Sequence, residues 1–320
     1  MEDIRIRMNR FSRNHRPFLF GINFELTEGF FVENPLEQDE ILFKANDVTN
    51  ISYNQIRQIS PQFEAFPLTY DQYRYKFDIV HKGLKYGDSF LTNLTIKTPI
   101  NTNISLREIL ERSQAPYLLY IPDRFVCFSP ERFVKVGDGY ISSNPMKGTI
   151  NADIAGAEDI ILNDFKETAE HNTIVDLIRN DLSIYAQSVT VKKYRYIDRI
   201  TTSNKNILQV SSQIEGCLPQ SYHDILGDIL FSMLPAGSVC GAPKPATVEL
   251  ITKAEGEARG FYTGVFGYYD GQCLDSAVLI RYIEKDKDQL YFRSGGGITA
   301  YSNSEAEYNE VLDKIYLPFK

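Results

Sequence analysis

The sequence predicts an α+β fold made mostly of antiparallel sheet, on three observations. Runs of aromatic and β-branched residues come in hairpin-like pairs, as in "FLFGINFEL" followed by "GFFVEN". Dipeptides that favour tight turns separate later pairs, Asp270-Gly271 being the clearest hairpin signal. Strands do not arrive as βαβ units, so a parallel doubly wound sheet is not expected. No repeat, low-complexity segment or Gly/Ser/Pro linker divides the 320 residues, a length that allows one large domain or two.

In chain order, the first twenty residues carry charge throughout and no apolar signal core. Strand signals and a helix, "TYDQYRYKFDIVHKGLKYGD", fill the first third. The segment "APYLLYIPDRFVCFSPERFVKVGDGYISSNPMKGTI" reads as antiparallel strands broken at Pro-Asp and Gly-Asp-Gly. One long helix is expected over about 157 to 185, and "YHDILGDILFSML" is also helical. The loop "PAGSVCGAPKP" leads into the helix "ATVELITKAEG". A β-meander runs from "FYTGVFGYYDG" to "FRSGGGI", and the helix "SEAEYNEVLDKIY" closes the chain.

Composition narrows function by exclusion. Lys+Arg 34 against Asp+Glu 42 gives a net charge of -8, which argues against broad nucleic-acid or anionic-membrane binding but leaves room for a small anion held by local cations. The four cysteines lie far apart without a CxxC pair, so zinc and a disulfide framework are not expected and a reducing cytoplasm fits. No run of eighteen apolar residues suggests a membrane span.

Several constellations can carry chemistry. With a turn centred on Asp138, Glu131 lies opposite Pro145, and Lys147 is its diagonal neighbour on one sheet face. A carboxylic acid beside an amine suits acid and nucleophile; an exposed cross-strand ion pair is the plainer reading. Glu167 and Glu170, and Glu307 and Glu310, are i,i+3 pairs on helices. Two such pairs facing each other would suit Mg²⁺, whereas two solvated acidic faces need no ligand. Ser304-x-x-Glu307 also matches a capping box. Arg281, in "SAVLIRYI", shares a strand face with Leu279 and Ile283 and so wants an anion, either a structural carboxylate or a substrate. Gly295, Gly296 and Gly297 can form an anion-binding nest or a plain turn. Lys244 beside a helix start is another weak anion signal. No Gly-x-Ser-x-Gly or Gly-x-Cys-x-Gly elbow occurs, so no built-in glutaminase is expected.

The ordered set "SPERF", "PMKGT", "AEHNTIVDLIRNDL", "LPAGSVCGAPKP", "GVFGYYDG", "LDSAVLIRYI" and "FRSGGGITAYSNSEAEYNEVLDK" resembles the chorismate-utilising enzymes, from about residue 70 to the end. That family holds the large subunits of anthranilate synthase and aminodeoxychorismate synthase, with isochorismate and salicylate synthases. The resemblance implies the anthranilate synthase component I-like fold: one large domain, an antiparallel β-sandwich flanked by helices. Residues 1–69 would be a shortened N-terminal β-rich part of it, and 70–320 the chorismate-binding catalytic region. By the same resemblance Glu170 and Glu310, with Glu167 and Glu307 beside them, hold Mg²⁺. Arg281, Tyr268, Gly295 to Gly297, Lys314, Thr149 and Lys244 contact chorismate, and Glu131 protonates the departing C4 hydroxyl.

Lys147 narrows the product. Anthranilate, isochorismate and salicylate synthases resemble one another in Pro-x-Ala-Gly at this place; aminodeoxychorismate synthases have Pro-x-Lys-Gly, as here. In those the lysine adds to the ring and ammonia, delivered by a glutamine amidotransferase subunit, displaces it. Leu91 falls where isochorismate and salicylate synthases carry a water-activating lysine, and leucine cannot take a proton from water. Leu91 also replaces the glutamine usual in amine-adding members, Gln209 a histidine and Cys240 a hydroxyl residue. The expected function is therefore an aminodeoxychorismate-type synthase; the alternatives are anthranilate synthase component I and a noncatalytic chorismate-binding scaffold subunit.

Overall fold

Two antiparallel sheets carry the fold in the computed structural model, which describes residues 1–53, 60–201 and 206–319. The first sheet runs Asn206–Cys217, Tyr140–Ser143, Arg132–Gly137, Leu274–Val278, Val265–Tyr269, Phe18–Ile22, Gly29–Glu33, with Met146–Asn151 and Gln187–Thr201 also paired to Asn206–Cys217. The second centres on Leu91–Thr102, Gln289–Ile298, Tyr282–Asp286, Phe125–Ser129, Tyr117–Ile121 and Leu42–Ala45. The expected sandwich is what forms. Leu19, Phe266 and Ala277 from one sheet bury against Phe43, Leu119 and Phe125 from the other. Alternation along Phe18–Ile22 then turns Phe18, Phe20 and Ile22 to the opposite face, where helices cover them. Among the described residues no helix is long and apolar enough to cross a membrane.

One helix was hidden by charge. Glu2–Arg13 is helical because Ile4, Met8 and Phe11 recur at helical spacing and bury against the Leu226–Ser232 helix. Glu2 and Asp3 in its first turn and Arg10 and Arg13 in its last complement the helix dipole. The Tyr70–Tyr86 helix starts on a Thr69/Gln72 capping box and stops at Gly87, whose φ of 94° suits glycine. The long helix expected over 157 to 185 is two, Ala157–Asn163 and Phe165–Ser183. Asp164 sits between them in extended conformation and caps the second by accepting from the Glu167 N–H at 2.8 Å.

Three further expectations are corrected by turns and pairing. Asp138 and Gly139 both have positive φ, making a two-residue turn that sets Tyr140 opposite Gly137. This shifts the expected register by one residue, and pairing with Arg132–Gly137 ends at Ser142. Lys147 therefore lies beyond that hairpin, on Met146–Asn151, which continues along Asn206–Cys217. Arg281 is not within a strand: it stands at φ 55° on the short link by which the chain leaves one sheet at Val278 and enters the other at Tyr282. The glycines 295–297 form neither turn nor nest but the regular interior of Gln289–Ile298, paired to Thr95, Leu94 and Asn93.

Candidate active site

The strand Gln289–Ile298 carries glycine where side chains crowd over it. A Cβ at Gly297 would stand 2.7 Å from Glu170 Oε2 and 3.1 Å from Lys147 Nζ, and one at Gly296 would meet Glu310 and Glu307 at 3.5 and 3.7 Å. The strand thus forms the floor on which the two acidic helix pairs and Lys147 meet. Gly297→Ala is expected to lower kcat by roughly 100-fold, the usual effect of about 1 Å of misplacement, because the methyl pushes Glu170 and Lys147 aside. Its melting temperature should barely move, since both clashing atoms end flexible side chains; paired rate and melting measurements check this.

Each side chain is aimed by local structure. Lys147 sits at a β-bulge where the register against Asn206–Cys217 shifts between Lys147 and Thr149. Gly148 takes φ 79° there, and Ser212 N–H holds the Pro145 carbonyl at 3.1 Å just upstream. Thr149 follows on the same strand and is exposed. Glu167 and Glu170 project from the first two turns of Phe165–Ser183, Glu307 and Glu310 from Ser304–Asp313. Asn303, not Ser304, caps the last helix, accepting from the N–H groups of Glu305 and Ala306, so the capping-box role predicted for Glu307 is not taken. Glu307 is fully buried and Glu170 nearly so.

The charges are closely set. Lys147 Nζ is 3.7 Å from Glu170 Oε2. Lys314 Nζ donates to Glu310 Oε1 at 2.7 Å and to the Gly295 carbonyl at 2.9 Å. Lys166 Nζ lies 2.6 Å from Glu307, 3.7 Å from Glu170 and 3.9 Å from Glu310. Burial, then Glu170 and Glu310, push Glu167 up to about 7. Burial works against the Lys147 ammonium, but Glu170, Glu131, Glu310 and Glu167 outweigh it and hold its pKa above the ordinary lysine value. Burial lowers Lys314, against Glu310.

Glu131 immediately precedes the strand Arg132–Gly137, and its carboxylate accepts a hydrogen bond from the Ser238 hydroxyl. Burial raises its pKa, while Ser238, Lys147, Arg281 and Lys314 pull it back. A raised carboxyl pKa favours the protonated form that a general acid needs. If Glu131 serves as that acid, kcat falls as pH rises through its pKa. Ser238→Ala removes a bond to the ionised form, so that alkaline limb should move to higher pH, read from a pH–rate profile.

Arg281 completes the cationic side: among the described residues its guanidinium has no carboxylate partner, and it donates a hydrogen bond to Tyr316 Oη at 3.3 Å. An arginine held at positive φ and short of an anion marks a place for one. Two predicted contacts fall elsewhere. Lys244 Nζ donates to Asp181 and to the Met233 carbonyl, each at 2.7 Å, a structural clamp beside the segment expected as a loop, which holds the short helix Gly237–Cys240 and the strand Gly241–Ala242. Tyr268 packs on Phe43 at 5.3 Å and lines a separate cavity of about 650 Å³ with Asn46 and Asp275. Tyr262 is buried in the core between the sheets, against Tyr282, and the tyrosine that meets Arg281 is Tyr316. Ser238, within the motif "LPAGSVCGAPKP", and Lys166, next to Glu167, are site residues that the sequence reading passed over.

The acidic groups fit a hard cation in kind. All are oxygen donors; Glu170 Oε1 is buried without a hydrogen-bond partner, and the buried Glu307 carboxylate has the Lys166 ammonium 2.6 Å away. Among the described residues, however, no three donors are drawn together closely enough to hold an ion as they stand. The Lys166 ammonium is between them.

On a two-sheet α+β frame, carboxylates thus lie beside Lys147 and Lys314 and form the candidate site. The chain matches the family model described as chorismate binding enzyme over residues 31–319, and it belongs to that family. It is 46% identical over 314 residues to a protein of Haemophilus influenzae named "Uncharacterized PabA-like protein", covering 98% of this chain and 95% of the relative. It is 32% identical to aminodeoxychorismate synthase component 1 of Salmonella typhimurium (78% of this chain, 57% of the relative) and 32% identical to anthranilate synthase component 1 of Bacillus subtilis (89% and 58%). The chain thus spans little more than half of those two proteins. Anthranilate synthase component I from Streptococcus pneumoniae superposes with a TM-score of 0.68 at 28% identity, over 80% of this chain and 59% of that one. The menaquinone-specific isochorismate synthase MenF of Escherichia coli gives 0.75 at 16% identity, over 95% and 79%, a likeness of fold.

Proposed function

We propose that this chain is the chorismate-using component of an aminodeoxychorismate synthase, and that Lys147 is its nucleophile. The observation that carries this is the placement of Lys147: its side chain, 17% exposed, is delivered by a bulge into the carboxylate site. Relatives named for aminodeoxychorismate synthase and for anthranilate synthase match at the same 32%, so names do not choose the product. The lysine supports the aminodeoxychorismate reading, because a route through a covalent amine adduct needs an amine there.

In this reading the neutral Lys147 amine bonds to C2 of the chorismate ring as the double bond shifts and the C4–O bond breaks. Glu131 gives its proton to the departing hydroxyl, which leaves as water. Ammonia then bonds to C4, the double bond shifts back, and the lysine amine leaves, so chorismate and ammonia become 4-amino-4-deoxychorismate and water. Arg281 and Lys314 hold substrate carboxylates. Glu170 and Glu310, with Glu167 and Glu307, would hold Mg²⁺, which when bound supplies positive charge to a substrate carboxylate and offsets the field that keeps Lys147 protonated. A separate glutamine amidotransferase subunit would supply the ammonia for a folate-type 4-aminobenzoate route. Incubation with chorismate, ammonium and Mg²⁺ tests the product. A 4-amino-4-deoxychorismate peak that yields 4-aminobenzoate only after a lyase is added is expected; fluorescent anthranilate without the lyase would overturn the reading.

A further inference from the structure

The carboxylate site already contains a cation, and it belongs to the chain. Lys166 Nζ sits 2.6 Å from Glu307, 3.7 Å from Glu170 and 3.9 Å from Glu310, three of the four groups assigned above to the metal. Glu307 and Glu170 lie on different helices, Ser304–Asp313 and Phe165–Ser183, so the ammonium bridges the two halves of the site. Two buried carboxylates facing each other without a cation would repel and pay for desolvation, and the ammonium meets both problems. Its stem keeps a way out, for the side chain is 31% exposed whereas those of Glu170 and Glu307 are 5% and 1%. The lysine sits next to Glu167 and one helical turn from Glu170, so rotation of one side chain moves the charge without moving the helix.

We propose that Lys166 is a tethered counter-ion that sets the metal affinity of this site: it occupies the cation's place among Glu170, Glu307 and Glu310 and must swing to solvent before a divalent ion binds. The inference rests on the metal reading given above. A competitor that fills the site nine-tenths of the time weakens the apparent affinity about ten-fold. The same ammonium protects the metal-free protein, so its loss has opposite effects on the two states.

Titrating metal-free protein with Mg²⁺ alone by calorimetry, without substrate, tests this. Lys166→Met is expected to bind Mg²⁺ about ten-fold more tightly than the wild type. The metal-free variant should melt at a lower temperature, with the gap closing at saturating Mg²⁺ because binding and stability are linked. If Lys166→Met does not fold without metal, Lys166→Gln, which keeps a hydrogen-bond donor, takes its place. Wild-type uptake of Mg²⁺ that is unchanged or weakened in the variant overturns the role of Lys166 and leaves the metal reading standing. Absence of uptake by both proteins overturns both.

Discussion

Replacing Lys147 by alanine should cut the formation of 4-amino-4-deoxychorismate by at least about 10³-fold at saturating ammonium, roughly 4 kcal/mol of barrier. The size follows from the role. Saturating ammonium replaces the amidotransferase, so a deficit that persists lies in the chemistry on this chain. A lysine that merely balanced Glu170 and Glu131 would be dispensable for bond making, and its loss would show mainly in KM. Lys147→Arg separates charge from nucleophilicity, because arginine keeps the ion pair with Glu170 but cannot offer a free lone pair near neutral pH. It should be as inactive as the alanine variant while melting like the wild type. Intact-mass measurement of quenched wild-type protein, with chorismate and Mg²⁺ but no ammonium, should reveal an adduct that both variants lack. Alanine also recreates the Pro-x-Ala-Gly pattern of the anthranilate-type members, so anthranilate must be assayed in the same reaction. Wild-type turnover by Lys147→Ala would remove the nucleophile from the mechanism.

The residues that sequence placed well and those it misplaced differ in how far their reasons reach. Glu167 with Glu170, and Glu307 with Glu310, were legible because helical spacing is local and both segments are strongly helical. That the two pairs face each other across a glycine strand was not, since the clearance at Gly296 and Gly297 is a tertiary fact and three glycines in a row read as a turn. The apparent face shared by Leu279, Arg281 and Ile283 failed for a related reason: the chain changes sheets there, and alternation stops where a strand stops. The Asp-Gly turn was recognised, but not that both residues would take positive φ, and one residue of register decides what faces Glu131. Lys244 finds Asp181 across 63 residues of sequence, which no local pattern announces. The helix Glu2–Arg13 was missed because six charged residues, and Asn9, surround its narrow apolar stripe.

Arg259→Met is expected to be the most damaging single change to the fold, costing about 3–5 kcal/mol, because it strands a buried carboxylate. Arg259 is 1% exposed and bonds Glu255 through two nitrogens, Nε to Oε2 at 2.9 Å and Nη2 to Oε1 at 2.6 Å. The same guanidinium donates to the Val239 and Asn93 carbonyls at 2.9 and 2.6 Å, and its face lies 4.5 Å from the Phe24 ring. Glu255 Oε1 in turn accepts from the Thr95 N–H at 2.9 Å. One ion pair thereby ties the helix Lys244–Glu255, the short helix Gly237–Cys240 carrying Ser238, and the strand whose Asn93 and Thr95 pair with Gly297 and Gly295. An ion pair so deeply buried is a poor source of net stability, yet breaking it from one side is severe, since the remaining charge cannot reach water. The double variant Glu255→Leu/Arg259→Met should recover part of the loss by removing both charges. Recovery should stop short of wild type, because the Thr95 N–H and the Asn93 and Val239 carbonyls stay buried without those partners, a penalty of about 1–3 kcal/mol per unmet group. Urea unfolding of the wild type, both single variants and the double variant gives the coupling energy directly. A single Arg259→Met variant within about 1 kcal/mol of wild type would show that the pair does not pin these elements. The site would then owe its alignment to the glycine strand and the bulge at Gly148 alone.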